Sequence, residues 1–247
     1  MKQRAPFFAR PAAGRKPAMK RTRLIALLAA ACLLPALAGC AAEPAAPSSA
    51  EDAPEDSTPS TVDFRLTSGH HTAGVDFPAG TYDLTAIEWC GRVVSSNGAV
   101  DAAMGVPEYN TDGQDLYTQS LEDVSLKKGT VLSLSGGVIL RLHSDDADPS
   151  PLQPREQDIT EDVTLSAGLY TAGVDFPAGV YDFTATDGVG NVESSNSHSG
   201  GISDVMGTTW RIAEGFGFCE QKYQNVELPE GTTLSVSGVT LLLQPSA

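Results

Sequence analysis

Apolar and polar residues alternate along Val62-Asp63-Phe64-Arg65-Leu66, Tyr82-Asp83-Leu84, Val131-Leu132-Ser133-Leu134 and Val163-Thr164-Leu165. A period of two places every second side chain on one face of an extended strand. The short apolar runs Val138-Ile139-Leu140 and Leu241-Leu242-Leu243 lie beside Gly-containing turns. They predict central strands covered on both faces. No capped amphipathic run reaches helical length. Short strands punctuated by Gly and Pro predict an all-β protein built as antiparallel β-sandwich or jelly-roll-like units.

The pattern occurs twice. TAGVDFPAG fills Thr72–Gly80 and again Thr171–Gly179. TYDLTA at 81–86 answers to VYDFTA at 180–185, and VVSSN at 93–97 to VESSN at 192–196, all at a spacing of 99. AMG at 103–105 and VSLKKGTVLSLSG at 124–136 match VMG at 205–207 and VELPEGTTLSVSG at 226–238, at a spacing of 102. The change of spacing places a three-residue insertion in the second copy between Asn196 and Val205. A period near 100 is too long for a solenoid or propeller repeat. It predicts two tandem domains, at 62–143 and 161–244, with a linker at 144–160. That linker, rich in Asp, Pro and Ser, has the composition of a flexible connector.

Phe-Pro-Ala-Gly in each nonamer reads as a turn, with Pro at the position that wants φ near −65° and Gly closing a hairpin bulge. Leu126-Lys127-Lys128-Gly129 and Leu228-Pro229-Glu230-Gly231 repeat the logic. Val75 and Phe77 before the turn, with Tyr82 and Leu84 after it, are expected to share one buried face. The repetition is therefore read mainly as architecture.

The N-terminus has a different character. Residues 1–39 hold eight Lys or Arg and no acidic residue, and Lys20-Arg21-Thr22-Arg23 runs into the apolar stretch Leu24–Ala38. Fifteen such residues suit a secretory signal and fall short of a bilayer span. Met19 offers an alternative start to Met1. Leu37-Ala38-Gly39-Cys40 closes the stretch and resembles the lipobox of bacterial lipoproteins. The resemblance implies removal of residues 1–39 and a diacylglycerol on Cys40, often with a third acyl chain on its amine, and two or more buried chains give stable anchoring. Residues 40–61, rich in Ala, Pro, Ser and acids, are expected to form a disordered tether reaching on the order of 25 Å from the membrane.

Processing would change the electrostatics. Of 16 basic residues, the eight in the signal leave, so eight remain against all 31 acidic ones, a formal charge of −23. Such a field excludes non-specific nucleic-acid binding. The expected partners are the membrane, through the covalent lipid, and a glycan or an envelope protein. The expected location is the extracytoplasmic face of a bacterial membrane.

Candidate chemistry is sparse. Cys90 and Cys219 are the cysteines left in the folded part; an exported compartment permits a disulfide between them, and two separate buried thiols are the alternative. Asp76 and Asp83, with their counterparts Asp175 and Asp182, are candidate oxygen ligands for a ligand or Ca²⁺, or else turn acceptors. Asn110-Thr111-Asp112-Gly113-Gln114-Asp115 lacks the 12-residue calcium-loop pattern and reads as a turn. The duplicated Ser95-Ser96 and Ser194-Ser195 come without a duplicated His, and there is no G-x-S-x-G elbow. His70-His71 has no H-E-x-x-H companion. No cofactor, metal or catalytic set is predicted, and the chain is read as a non-enzyme. Trp89, Tyr109, Tyr117, Trp210, Phe216 and Tyr223 fall in the divergent centre of each copy, where exposed aromatics would stack on sugars or partner side chains and buried ones would fill the core.

The duplicated T-A-G-V-D-F-P-A-G-x-Y-D unit resembles a domain of bacterial surface lipoproteins, a likeness that covers both copies and transfers no functional residue. The expectation is a lipid-anchored, non-catalytic binding or adhesion protein. A structural subunit of an envelope complex is the alternative, and a hydrolase comes third.

Overall fold

A computed structural model describes residues 58–110, 115–208 and 219–247. The signal region 1–39, Cys40, the tether through Ser57, Trp210 and Phe216 lie outside the described residues, as does most of the 110–115 turn.

The protein is all-β, with two sheets. The first copy contributes β1 (Ser60–Leu66), β2 (Gly69–Thr72), β3 (Gly80–Glu88), β4 (Cys90–Ser95), β5 (Asp101–Gly105), β6 (Ser120–Leu126), β7 (Val131–Ser135) and β8 (Ile139–Ala147). The second contributes β9 (Val163–Leu165), β10 (Gly168–Thr171), β11 (Gly179–Ser194), β12 (Ser203–Gly207), β13 (Lys222–Leu228) and β14 (Thr233–Pro245). One sheet runs β1-β8-β3-β6. The other runs β10-β14-β11-β13-β2-β7-β4-β5, with β12 beside β11 and β9 beside β14. Strands β11 and β14 are single long strands where the first copy has two shorter ones, β3 with β4 and β7 with β8.

Each copy has its own apolar core. In the first, Leu84 and Leu142 of the four-stranded sheet meet Val93, Leu132 and Leu134 of the other sheet. In the second, Phe183, Leu243, Val192 and Leu234 occupy the matching places. Tyr82, Tyr181, Leu84 and Phe183 are fully buried. The apolar runs do become interior strands, but Ile139 and Leu242 are only half-buried. Their strands alternate, with one well-covered face, because the opposite face carries no second layer.

The repeated nonamer turns earlier than Pro-Ala-Gly implies. The reversal is at Gly74 and Gly173, with φ of 86° and 82°, and Gly80 and Gly179 already belong to strands. Asp76 causes the shift. Its carboxylate accepts the Thr72 N–H at 2.6 Å while its own N–H donates to the Thr72 carbonyl at 2.8 Å, closing the loop from both sides. Asp175 does the same on Thr171. Val75 is consequently half-buried and Val174 is 79% exposed, so neither joins the buried face that Phe77, Tyr82 and Leu84 form. The Tyr82 hydroxyl donates to the Pro78 carbonyl at 2.7 Å, and Tyr181 to Pro177 at 2.7 Å. Gly129 and Gly231, both at φ 82°, close the later turns and donate to the Ala73 and Ala172 carbonyls.

Strand β8 extends to Ala147, past the boundary expected at 143, and the following segment is pinned along its length. Gln153 donates to the Gly74 carbonyl, Arg155 pairs with Asp76, Gln157 bonds Val180 and Ser246, and Ile159 packs on the second core. It ties the two copies together where composition alone predicts a loose connector.

Candidate functional site

The three-residue insertion lies at the junction between the copies. Where the first copy turns through Gly98-Ala99, the second runs Ser197-His198-Ser199-Gly200-Gly201. This longer turn forms one wall of a cleft whose other wall is β2, β4 and β7 of the first copy. The cleft comprises two adjoining hollows of about 330 and 380 Å³ that share His70, Val94, Ser133, His198 and Gly200. Arg92 lines one end and Arg155 the other.

His70 anchors the cleft floor. Its Nε2 lies 2.6 Å from the Gly201 carbonyl oxygen and its Nδ1 2.8 Å from the Ser133 Oγ. A carbonyl accepts only, so Nε2 carries the proton and the Ser133 hydroxyl donates to Nδ1. The ring stands edge-on to Tyr223 at 5.5 Å. Burial pulls the His70 pKa down, only partly opposed by the Gly201 contact, which keeps the imidazole neutral. In the second copy Leu169 and Ser235 occupy the cross-strand positions of His70 and Ser133.

On the other side of the junction two carboxyl groups of the second copy reach the β7–β8 turn of the first. Glu220 accepts the Gly137 N–H at 2.7 Å, and Asp204 accepts the Gly136 N–H at 3.4 Å. Burial, and then the neighbouring Asp204 charge, push the Glu220 pKa up to about 8, and burial also raises Asp204. At neutral pH the pair therefore shares a proton. Burial, with these two acids adding to it, raises the Tyr223 hydroxyl as well. The backbone closes the junction: β13 meets β2 in parallel at Gln224 and Gly69, and the Gln224 N–H donates to the Ser68 carbonyl at 3.0 Å.

Of the candidate aspartates, cysteines and aromatics singled out from sequence, Tyr223 lines this cleft beside His70, and the other described ones lie elsewhere. Asp76 and Asp175 close their own turns, and Asp76 also pairs with Arg155. Asp83 and Asp182 each accept the backbone N–H of a bulge residue, Asp123 and Asn225, whose φ values are 55° and 57°. The four carboxylates are thus turn and bulge acceptors, not a gathered cation site, and no cluster of three or more His, Cys, Asp or Glu side chains suited to a metal occurs among the described residues. Asp83 does line a shallow acidic groove with Asp123, Asp145 and Asp146.

Cys90 and Cys219 are buried thiols and form no bridge with each other. The repeat explains why. Cys90 stands where the second copy has Val189, and Cys219 where the first has Tyr117, so each thiol fills a slot of its own copy. Cys90 is in hydrogen-bond contact with the Tyr117 hydroxyl.

Trp89 and Tyr109 contact each other at 5.9 Å near one end of the first copy, and Trp89 borders a smaller hollow of about 240 Å³ with Gly137, Cys219 and Glu220. Tyr223 is buried in the junction. The aromatics form no shared stacking surface among the described residues. The duplicated serines are structural: Ser95 and Ser194 accept the Val100 and Ile202 N–H groups, and Ser96 and Ser195 accept those of Val131 and Thr233.

Ser133, Asp204 and Glu220 carry no motif that marks them in the sequence, and His70 stands there only as half of an unaccompanied His pair. The signal lay in the differences: His70 against Leu169, Asp204 against Ala102, Glu220 against Thr118. No family model, curated protein or solved structure matches this chain.

Proposed function

We propose that this chain is an exported lipoprotein, held at the membrane by a lipid on Cys40, whose two jelly-roll-like copies bind an envelope or extracellular ligand in the cleft between them. The observation that carries the reading is the turn Ser197–Gly201, three residues longer than its counterpart in the first copy, standing as a cleft wall against His70. Hydroxyls of Ser133, Ser135, Ser197 and Ser203, with the Arg92 guanidinium, suit a ligand rich in hydroxyl, amide or carboxylate groups: a glycan or a peptide.

The test is a thermal-shift and calorimetric screen of the protein against soluble cell-wall fragments, sugars and peptides. A ligand at 100 times its dissociation constant stabilises the fold by about 2.7 kcal/mol. Replacing Ser197–Gly201 by Gly-Ala, as in the first copy, is expected to abolish that shift. A shift that persists in this variant places the site elsewhere. In cells, Cys40→Ala is expected to leave the membrane fraction, and retention there removes the lipoprotein reading.

One observation favours a second reading, a hydrolase. The Ser133 hydroxyl donates to a neutral imidazole that a carbonyl orients from the other side, the arrangement of an activated nucleophile. Labelling of Ser133 by a fluorophosphonate, absent in His70→Ala, would establish it, and an unlabelled Ser133 would remove it.

A further inference from the structure

The contact between the copies is head to tail: an edge of the first, β2, meets a different edge of the second, β13. Three features make the fit. Gly69 lets β13 pass so closely that a Cβ there would lie 2.5 Å from the Gln224 carbonyl oxygen. The bulge at Asn225 accompanies a register shift beside the strand's partner β11, next to the point where the Gln224 N–H reaches Ser68. His70 and Tyr223 then meet through their rings.

Both surfaces occur again at the outer ends. Strand β10, the counterpart of β2, ends its sheet, and β6, the counterpart of β13, ends the four-stranded one. Gly168 stands where Gly69 does, without a left-handed φ to require glycine, and the nearest atoms a Cβ there would meet belong to the Tyr170 side chain, at 3.0 Å. The bulge of β13 recurs in β6 at Asp123, beside the exposed Glu122 that matches Gln224. Leu169, at the His70 position, is 72% exposed, and half-buried Leu121 takes the Tyr223 position. A bare leucine on an edge strand, next to a glycine that stands where Gly69 admits β13, is what a passing strand of the next molecule would explain.

We infer that the protein associates with further copies of itself in an open row, β10 of one chain beside β6 of the next, with Gly168 against Glu122. A heterologous contact of this kind repeats without closing into a dimer. The outer contact is an apolar version of the inner one: Leu169 meets Leu121 where His70 meets Tyr223, and Ala102 and Thr118 replace the Asp204 and Glu220 clamps. Lacking those clamps, it is weaker than the inner junction and depends on concentration. The formal charge of −15 per chain opposes it at low salt, so screening strengthens it.

The test uses the full chain in mild detergent. Sedimentation is expected to show multimers that grow with protein concentration and with salt, and that Leu169→Asp dissolves. Mild oxidation of a Leu121→Cys, Leu169→Cys double variant is expected to give a ladder extending past the dimer, absent from either single variant and from the parent with its native cysteines. A monomer under all conditions would overturn the inference. So would multimers indifferent to Leu169→Asp, or dimers formed by Leu169→Cys alone, which would indicate a symmetric β10–β10 contact.

Discussion

The Nε2 of His70 lies 2.6 Å from the carbonyl oxygen of Gly201, a residue 131 positions further along the chain. The contact joins a histidine found in one copy only to a turn lengthened in the other only. Replacing His70 with Leu, the residue at the matching place in the second copy, removes both ring hydrogen bonds and leaves the Ser133 hydroxyl and the Gly201 carbonyl without it. A loss of about 2 kcal/mol is expected, read as a Tm decrease of several degrees by calorimetry. The reciprocal Leu169→His, on an exposed position, should change stability by less than about 0.5 kcal/mol.

The acid pair across the junction predicts a pH dependence. Glu220, raised to about 8 in the folded protein, returns to its ordinary value of 4.5 on unfolding. The folded state thus holds a proton that the unfolded state has lost, so this stabilisation is complete below 4.5 and is lost as pH rises through about 8. His70 and His71 are depressed by burial and act in the opposite sense, costing stability only as pH falls below 6.5. Between pH 6.5 and 8 the acid pair dominates. Denaturant titrations should show the native protein weakening across that window and Glu220→Gln holding level.

Identical motifs give an internal control. Asp76 and Asp175 each close a nonamer turn, but Asp76 also pairs with Arg155 in a contact where the side chains are only 15% and 12% exposed. Asp76→Ala would leave a nearly buried guanidinium without its partner, at a cost of about 3 kcal/mol or more. Asp175→Ala removes one exposed, charge-assisted hydrogen bond, about 1 kcal/mol. Equal losses in equilibrium unfolding would contradict the linker's pinned position.

The repeat made much of this architecture readable. Strand periodicity follows from side chains alternating between core and solvent, so β1, β3, β7 and β9 stand where the pattern places them. The nonamer misled at its turn because Pro-Ala-Gly has the stronger local turn signature, whereas the loop is closed by a side chain, Asp76, acting on a backbone N–H four residues earlier. The linker misled because its composition is polar, while Arg155 and Gln157 use that polarity to dock on both copies. The cleft was illegible for another reason. It depends on how two similar units meet, and residues that serve such a meeting differ between the units by necessity.

The thiols offer a direct check. Cys90 and Cys219 are buried in different copies. A thiol reagent is expected to leave both unmodified in the native protein and to label both in denaturant without reductant. A linked Cys90–Cys219 peptide in a non-reducing digest would contradict the structure.

The last prediction concerns glycines that no turn requires. Gly91 in β4 and Gly190 in β11 occupy equivalent places, and neither has a positive φ. A Cβ on Gly91 would overlap the Ser135 carbonyl oxygen, and one on Gly190 that of Ser237. Both obstacles are backbone, so no side-chain rotation relieves them, and the crossing of β4 over the end of β7 would have to open. Alanine normally stabilises a strand relative to glycine by restricting the unfolded chain. Here Gly91→Ala and Gly190→Ala should each cost roughly 3 kcal/mol or more. Gly98→Ala is the control, because its φ is 74° but nothing lies within 4 Å of the added methyl. Its cost should be confined to backbone strain, about 1 kcal/mol. Urea midpoints for the three variants separate steric exclusion from conformational preference, and a Gly91→Ala midpoint no lower than that of Gly98→Ala would mean the strand crossing is looser than this structure has it.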